Sequence, residues 1–262
     1  MAGIKTILII PARMASSRFP GKPLAVINGI AMLERVFRIA KEIKNPVEIV
    51  IATDSPELEK FGGKIGARVV MTSEKCATGM DRAADVLQQF PEFDVAITLQ
   101  GDAVLTPPWV VDATIDAILS DQSVELATPM IKLSGEKLQD FIKLKQAGSS
   151  TGTAVTFDKN FNALYFSKTL IPHTRDYSKL KEAYRHIGLY AYRKETLLRL
   201  AKLPQSKFEL VENLEQLRAL ENGIAIKVVE VDYKGRTHGS VDNPEDLPII
   251  EQIIAKEGEL FQ

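Results

Sequence analysis

The chain has few of the features of secreted, thiolate-metal or membrane proteins. Cys76 is the single cysteine among 262 residues, so no disulfide can form within the chain and no Cys/His metal-binding spacing exists. No apolar run approaches the roughly 20 residues that a transmembrane helix needs. The first residues lack the pattern of a signal peptide. These absences predict a soluble cytoplasmic protein that does not bind a membrane.

An excess of charge is also missing, and so are the common phosphate-binding motifs. Lys and Arg total 33 against 34 Asp and Glu, a net charge of −1, so bulk charge gives no reason to expect a nucleic-acid partner. Neither G-x-x-x-x-G-K-[ST] nor G-x-G-x-x-G occurs. The nearest stretch, residues 62–66, lies at the end of a predicted helix. Kinase-type P-loops and dinucleotide-dependent dehydrogenases are therefore disfavoured.

Strand and helix patterns alternate through the first half of the chain. The β-branched run at 7–10 predicts a buried parallel strand, and further strands are expected at 47–52, 69–71 and 95–99 with helices between them. This alternation predicts an α/β fold, a Rossmann-like three-layer sandwich with a mostly parallel mixed sheet.

The second half of the chain changes character. Its predicted elements are a hairpin of strands at 154–157 and 163–166, a strand at 187–192, a helix from the capping box at Ser206 to about Glu221, a strand at 224–231 and a last helix from near Pro244. No linker separates the halves, so residues 1–262 are expected to form one domain. The inserted antiparallel element is a candidate for pairing two protomers.

The loop after the first predicted strand is the strongest functional signal. It carries Arg13, Arg18 and Lys22 together with Ser16 and Ser17. Such a loop at the carboxyl end of a strand is where a polyphosphate would bind, with cations neutralising its oxygens. An ordinary solvated loop is the alternative, which the two prolines that fix the end of the loop disfavour.

Two aspartates are candidates for holding a divalent metal. Asp102 directly follows the strand predicted at 95–99, so its carboxylate would face the cationic loop. Mg²⁺ prefers one or two carboxylates together with substrate phosphates and waters. Asp242, in the loop before the last helix, is the second candidate, although an Asx-turn or a helix cap explains it more simply from the residues alone.

Three further clusters allow both a functional and a structural interpretation. The turn at 78–82 could place backbone amides against a nucleobase or could simply begin a helix. Period-two alternation puts His186, Gly188, Tyr190 and Tyr192 on one strand face, which could line a sugar pocket or be half-solvated. On the helix predicted after Ser206, a polar stripe is expected to face solvent and a neighbouring apolar stripe to face the core. The polar stripe is Glu212, Glu215 and Gln216, and the apolar stripe is Val211, Leu214 and Leu217.

Taken in order, these segments resemble one family, the cytidylyltransferases that activate 3-deoxy-manno-octulosonate (Kdo), also called CMP-Kdo synthetases. The matching motifs cover almost the whole chain. They are P-A-R-x-A-S-S-R-F-P-G-K-P-L at 11–24, A-T-D at 52–54, T-G-x-D-R at 78–82, L-Q-G-D at 99–102, A-L-Y-F-S at 163–167, R-H-I-G-L-Y at 185–190, L-E-Q-L-R at 214–218 and V-D-N-P-E-D-L at 241–247. Any one of them could arise by chance, whereas the ordered set is highly specific.

The resemblance implies a role for each group of site residues. Arg13 and Lys22 would hold the phosphates of CTP. Asp102 and Asp242 would hold Mg²⁺ and complete the catalytic set. The residues implied in nucleotide recognition besides Arg13 and Lys22 are Thr78, Gly79, Asp81 and Arg82. The residues implied in binding the acid sugar are Gln100, Arg175, His186, Tyr190, Glu215 and Gln216. The implied enzyme is a homodimer in which the anomeric hydroxyl of the sugar attacks the α-phosphorus of CTP and pyrophosphate leaves.

The departures from the family pattern fall on the sugar side. Ala103 and Val104 replace the usual Glu-Pro after Q-G-D, Lys168 replaces an arginine, and the Thr153 region lacks a usual lysine. These changes favour an altered acceptor, 8-amino-3,8-dideoxy-manno-octulosonate, which would supply lipopolysaccharide synthesis. The alternatives are Kdo itself, a different acid sugar such as a sialic acid, and a catalytically silent nucleotide-binding protein.

Overall fold

The structure is a computed structural model that describes residues 3–15 and 18–262. Ser16 and Ser17 of the predicted phosphate loop lie outside the described residues. The strands, in chain order, are β1 (Thr6–Pro11), β2 (Val26–Ile27), β3 (Ile30–Ala31), β4 (Glu48–Thr53), β5 (Arg68–Met71), β6 (Val95–Leu99), β7 (Leu126–Leu133), β8 (Thr153–Phe157), β9 (Ala163–Ser167), β10 (Ala183–His186), β11 (Leu189–Arg193) and β12 (Lys227–Glu230).

Helices connect most of these strands. The α-helices are α1 (Met32–Lys41), α2 (Pro56–Lys64), α3 (Gly79–Gln89), α4 (Pro108–Ser120), α5 (Gly135–Gln146), α6 (Lys194–Lys202), α7 (Lys207–Glu212), α8 (Leu217–Glu221) and α9 (Asp246–Glu257), and the 3₁₀ turns are Lys22–Leu24 and Tyr177–Lys179. None of the helices in the described ranges is long and apolar enough to cross a bilayer.

One mixed sheet organises the fold. Its strand order is β5-β4-β1-β6-β11-β7-β10-β8-β9, with β12 pairing β7. Strands β5, β4, β1 and β6 are parallel, and β7, β8 and β12 run in the same direction, whereas β11, β10 and β9 run against them. The predicted mostly parallel mixed sheet is confirmed, and the hairpin β8–β9 is the predicted antiparallel element.

Apolar clusters cover both faces of the sheet and define the three predicted layers. Alternate residues of β1 enter opposite clusters, with Leu8 in one and Ile9 in the other. Helices α1, α4 and α9 pack on the first face, and α3, α6 and α8 pack on the second. A smaller cluster joins α5 to the hairpin and to β10.

Gly62 explains the glycine-rich stretch at 62–66. A Cβ atom at Gly62 would lie 2.4 Å from Val69 Cγ2, so only glycine lets α2 approach β5 this closely. The stretch therefore serves helix–sheet packing, in agreement with the exclusion of a dinucleotide motif.

Two predicted elements in the second half have other bounds in the structure. The strand expected at 187–192 is β11, which begins two residues later, and residues 187–188 separate it from β10. The helix expected to reach Glu221 is α7 and α8, because Asn213 adopts a left-handed conformation (φ 53°) that ends α7. Val211, expected in the core, is 76% exposed because the break turns that side of α7 towards solvent.

Candidate active site

The carboxyl ends of β1 and β6 form a cleft of about 240 Å³, here called the main cleft. Open α/β sheets bind ligands at this edge. The cleft brings together most of the sequence-predicted residues for phosphate, base and metal binding. Those that line it are Arg13, Lys22, Thr78, Gly79, Arg82, Gln100, Asp102 and Asp242, and Arg18 lines it as well.

Two ion pairs link the cationic loop to the two predicted metal ligands. Lys22 Nζ lies 2.5 Å from Asp102 Oδ2, and both side chains are largely buried, at 15% and 29% exposed. Arg18 Nη2 lies 3.1 Å from Asp242 Oδ1 in a more exposed pair. Arg13 donates to the carbonyl of Ala77 at 3.4 Å. The cleft therefore holds alternating positive and negative groups within the reach of one polyphosphate.

Glycines bring the strand ends together at the floor of the main cleft. A Cβ atom at Gly101 would lie 2.9 Å from the carbonyl oxygen of Pro11, so the end of β6 is pressed against the end of β1. A Cβ atom at Gly79 would lie 3.2 Å from Gln100 Nε2. These contacts place Asp102 and Gln100 beside the loop and the start of α3.

The start of α3 is a complete capping box. Thr78 Oγ1 accepts from the amide of Asp81, and the Asp81 carboxylate accepts from the amide of Thr78. Arg82 is buried, donates to Thr72 and pairs with Asp54 at 2.8 Å. Asp81 and Arg82 therefore have structural partners, while Gly79 and Gln100 present their surfaces to the cleft.

A second cluster lies on the α3 side of the sheet and contains four of the predicted sugar-binding residues, which are His186, Tyr190, Glu215 and Gln216. Tyr190 donates its hydroxyl to Gln216 Oε1 at 3.0 Å, and Gln216 Nε2 is buried without a hydrogen-bond partner among the described residues. The rings of His186 and Tyr190 lie 5.5 Å apart, and His186 Nε2 lies 2.8 Å from the hydroxyl of Thr128. The unpaired amide makes this cluster suited to a polar ligand.

Glu215 connects this cluster to the main cleft. Burial raises the pKa of its carboxyl, and hydrogen bonds from the Met80 amide and the Thr78 hydroxyl oppose that rise. The carboxylate thus faces the amino end of α3, which also borders the cleft.

Arg175 is placed differently from the other predicted sugar-binding residues. It is exposed on the loop between β9 and β10 and does not line the main cleft. Its predicted role in binding the acid sugar stays a prediction.

Burial of His186 makes folding stability dependent on pH. Desolvation lowers the pKa of His186 to about 3, and the positive charge of Lys168 acts in the same direction. The unfolded chain, with a histidine pKa near 6.5, therefore binds more protons than the folded chain below that pH. We expect the free energy of unfolding to be fully maintained above about pH 6.5 and to fall towards pH 3, by up to about 1.4 kcal/mol per pH unit for one histidine.

Urea denaturation between pH 5 and 8 measures this slope. The His186→Gln variant should have a smaller slope, while the exposed His173→Gln serves as a matched control and should retain it. Equal slopes for wild type and His186→Gln would contradict the assignment of His186 as a buried neutral group.

Several supporting residues have no local sequence signal. Glu212 accepts from the Ser167 hydroxyl at 2.7 Å and from the Lys168 amide at 2.8 Å, so it fixes the end of β9. Glu209 and Arg218 form a buried bidentate pair beneath α7 and α8. Only the A-T-D motif could have indicated Asp54, the partner of Arg82.

The chemistry of the cleft suits a hard cation shared with a ligand. No group of three or more His, Cys, Asp or Glu side chains able to hold a metal occurs in the part of the chain that the structure describes. Asp102 and Asp242 nevertheless line one cleft and each presents a carboxylate. Two carboxylates completed by phosphate oxygens and water form a common Mg²⁺ environment.

A family model described as cytidylyltransferase matches residues 7–228. A 3-deoxy-manno-octulosonate cytidylyltransferase of Maricaulis maris (strain MCS10) is 46% identical over 258 residues, covering 98% of this chain and 100% of the relative. An 8-amino-3,8-dideoxy-manno-octulosonate cytidylyltransferase of Shewanella pealeana (strain ATCC 700345 / ANG-SQ1) is 39% identical, covering 93% of this chain and 96% of the relative.

Solved structures agree with these relatives. A CMP:2-keto-3-deoxy-manno-octonic acid synthetase in complex with CTP superposes with a TM-score of 0.85 at 32% identity, covering 97% of this chain and 99% of that one. A 4-diphosphocytidyl-2C-methyl-D-erythritol synthase from Anaerococcus prevotii, at 13% identity and a TM-score of 0.60 over 97% of this chain and 96% of that one, shares the fold. The chain is an enzyme of the cytidylyltransferase class, and within that class it belongs to the Kdo cytidylyltransferase family.

Proposed function

We propose that this enzyme transfers CMP from CTP to a Kdo-type acid sugar and releases pyrophosphate in a Mg²⁺-dependent reaction. The observation that supports this most strongly is the meeting of Arg13, Lys22, Asp102 and Asp242 in the main cleft. A cationic loop facing two carboxylates can bind a triphosphate and neutralise the charge that develops when its α–β bond breaks.

In the proposed reaction the protein positions the two substrates. Lys22 and Arg13 bind phosphate oxygens of CTP, and the turn at Thr78 and Gly79 lies against the base. The anomeric hydroxyl of the sugar attacks the α-phosphorus and loses its proton to solvent, so a new oxygen–phosphorus bond forms. The bond from the α-phosphorus to the bridging oxygen breaks, and pyrophosphate leaves with that oxygen. Phosphoryl chemistry of this kind requires alignment and charge neutralisation more than a protein nucleophile.

Asp102 and Asp242 are the residues that would hold Mg²⁺. When bound, the ion would supply charge neutralisation at the phosphate oxygens and lower the pKa of a coordinated hydroxyl. Lys22 and Arg18, which pair with these aspartates in the structure, are then free to bind the phosphates themselves.

The acid sugar is proposed to bind over the cluster of His186, Tyr190, Glu215 and Gln216, with Gln100 at its border with the cleft. The unpaired Gln216 amide offers a hydrogen bond to a sugar hydroxyl. Buried neutral His186 offers another without adding a charge. The sugar carboxylate would bind to Arg175, which would require the exposed loop to move towards the cluster.

The sugar-side departures from the family pattern support the 8-amino sugar as acceptor. The name of the Maricaulis maris relative supports Kdo itself. The discriminating experiment measures pyrophosphate release from CTP and Mg²⁺ with Kdo, 8-amino-Kdo and a sialic acid in parallel. We expect turnover with a Kdo-type sugar and none with the sialic acid. CTP binding without pyrophosphate release from any of the three would contradict the proposal and support a silent nucleotide-binding protein.

We also infer a cytoplasmic homodimer that serves lipopolysaccharide synthesis. Exposed apolar side chains on α7 and on the hairpin support a second copy as the partner. They are Leu164, Phe208, Leu210 and Val211. Sedimentation velocity on the wild type and on Val211→Lys tests this, since a charge at a buried interface should shift the dimer to monomer.

A further inference from the structure

A second cavity, of about 510 Å³, lies on the opposite side of β10 from the sugar cluster. Neighbouring residues of a strand point to opposite faces, so Arg185 lines this second cavity while His186 belongs to the sugar cluster. The cavity is enclosed by β7, by α5, by β10 and by the segment that follows β12. None of the residues predicted from sequence for phosphate, base, sugar or metal binding lines it.

Arg185 is a half-buried cation to which the described residues give no counter-ion. No nitrogen of its guanidinium forms a hydrogen bond or an ion pair with the described residues, and Nε is fully buried. The side chain packs closely against Gly152, where an added Cβ atom would lie 3.0 Å from Nε and 3.1 Å from the Phe141 ring. Burial lowers the pKa of Arg185, yet an arginine keeps its charge in proteins. A charge that is largely withdrawn from water is stabilised by a partner of opposite sign, so the Arg185 guanidinium is suited to an anionic ligand.

Two further polar atoms in the same cavity are poorly satisfied. Nδ1 of His238 and the hydroxyl of Tyr233 are both buried without a hydrogen bond of good geometry among the described residues, and the Thr106 side chain is the polar neighbour of that hydroxyl. Their rings lie 5.5 Å apart in an edge-on arrangement. Burial, together with the nearby positive charge of Arg185, lowers the pKa of His238 to about 3, so its ring is neutral. A guanidinium, a hydroxyl and a neutral imidazole together form a set of groups that suits one oxyanion.

The other lining residues indicate which kind of anion fits the second cavity, both in polarity and in charge. The walls are apolar and consist of Ile131, Leu133, Phe141, Leu144 and Val231. Most charged side chains at the rim are offset in pairs, Lys132 with Glu182, Arg236 with Glu257 and Asp140 with Lys143. The remaining two, Asp232 and Lys137, are exposed and of opposite sign. One uncompensated positive charge therefore balances one negative charge. We propose that the second cavity binds a small monoanionic carboxylate with an apolar body.

One chain segment contributes residues to both the second cavity and the main cleft. Tyr233 and His238 lie on the segment that leads directly to Asp242, and the Val241 amide in that segment faces the carbonyl of Asp102 at 3.5 Å. A bound carboxylate would hold this segment against β10. The proposal does not rest on the transferase activity, because it is tested by binding alone.

Isothermal titration calorimetry on the full chain at pH 7.5, without CTP or sugar, tests the proposal with hexanoate and benzoate as probes. Hexanamide is the uncharged control, and phenyl phosphate is the dianionic control. We expect one carboxylate per chain, and at least tenfold weaker binding of both control compounds. Tyr233→Phe removes one hydroxyl without changing the packing, so we expect about fivefold weaker binding of hexanoate and an unchanged or higher melting temperature.

Matched variants separate the site from general effects on the fold. Tyr184→Phe removes a hydroxyl that bonds to Glu182 outside the cavity, and it should bind hexanoate like the wild type. Arg185→Met should lower the affinity more than about thirtyfold. Lack of carboxylate binding, equal affinity in wild type and Tyr233→Phe, or tighter binding of hexanamide or phenyl phosphate would each overturn the proposal.

Discussion

Asp102→Asn is expected to lower the turnover number for pyrophosphate release by more than about a hundredfold. The carboxylate lines the main cleft, just after the end of β6, and pairs with Lys22 at 2.5 Å. An amide of the same shape cannot supply the negative oxygen that a hard cation requires, nor can it hold the lysine as firmly. Steady-state assays over a range of Mg²⁺ concentrations measure the effect.

A control variant and thermal unfolding distinguish a loss of catalytic activity in Asp102→Asn from a loss of folded protein. Asp140→Asn makes the same substitution at an exposed site on α5 and should leave turnover unchanged. Thermal unfolding of both variants should remain close to that of the wild type. Turnover of Asp102→Asn within threefold of the wild type, with an unchanged Mg²⁺ requirement, would show that Asp102 is not a metal ligand.

Arg218→Met is expected to lower the free energy of unfolding by about 3–5 kcal/mol at pH 7. Arg218 donates to both carboxylate oxygens of Glu209, through Nε at 2.9 Å and Nη2 at 2.5 Å, and the two side chains are 3% and 4% exposed. Removing the guanidinium leaves a buried carboxylate without its partner. Urea denaturation followed by circular dichroism measures the change.

An exposed pair and a double variant provide the controls. Arg199→Met removes a partner of Glu125 at 3.5 Å, where the side chains are 54% and 48% exposed, and it should change stability by less than about 1 kcal/mol. The double variant Glu209→Leu/Arg218→Met should recover part of the loss, because the Glu209 carboxylate is no longer left without its partner, whereas Asp81 still loses the Arg218 guanidinium at 3.8 Å. A loss for Arg218→Met no larger than for Arg199→Met would contradict the structural role of the pair. This pair joins α7 to α8 around the residues that carry Glu215 and Gln216.

The parts of the fold that sequence could predict are those in which local pattern and tertiary packing agree. The buried runs of β1, β4 and β6 are continuous and apolar, and the structure confirms them. Strand β7 was not predicted, because Pro129 lies in its middle and proline normally argues against an internal strand. The carbonyl of Pro129 still accepts from the amide of Ile187, so the pairing continues around the missing donor.

The residues of the candidate site also fall into those that a sequence motif can indicate and those that it cannot. Ordered motifs indicated the residues of the main cleft, because the motifs that carry Arg13 and Asp102 follow the adjacent parallel strands β1 and β6, whose ends meet at one edge of the sheet. Residues whose role depends on distant partners carry no such pattern. Arg185 lies on β10, whereas Tyr233 and His238 lie on the segment after β12, and only the packing of β7, α5 and β10 places them in one cavity. The division of α7 from α8 likewise depends on one backbone angle, at Asn213.

The contact between Lys22 and Asp102 has a thermodynamic consequence. A free lysine side chain loses up to about 2 kcal/mol of rotamer entropy when a ligand immobilises it. Here the ammonium is already held by the carboxylate, so that entropy is lost when the chain folds. In the proposed reaction the nucleotide would therefore meet a preorganised cation, and binding would exchange one oxyanion partner for another without ordering a mobile side chain.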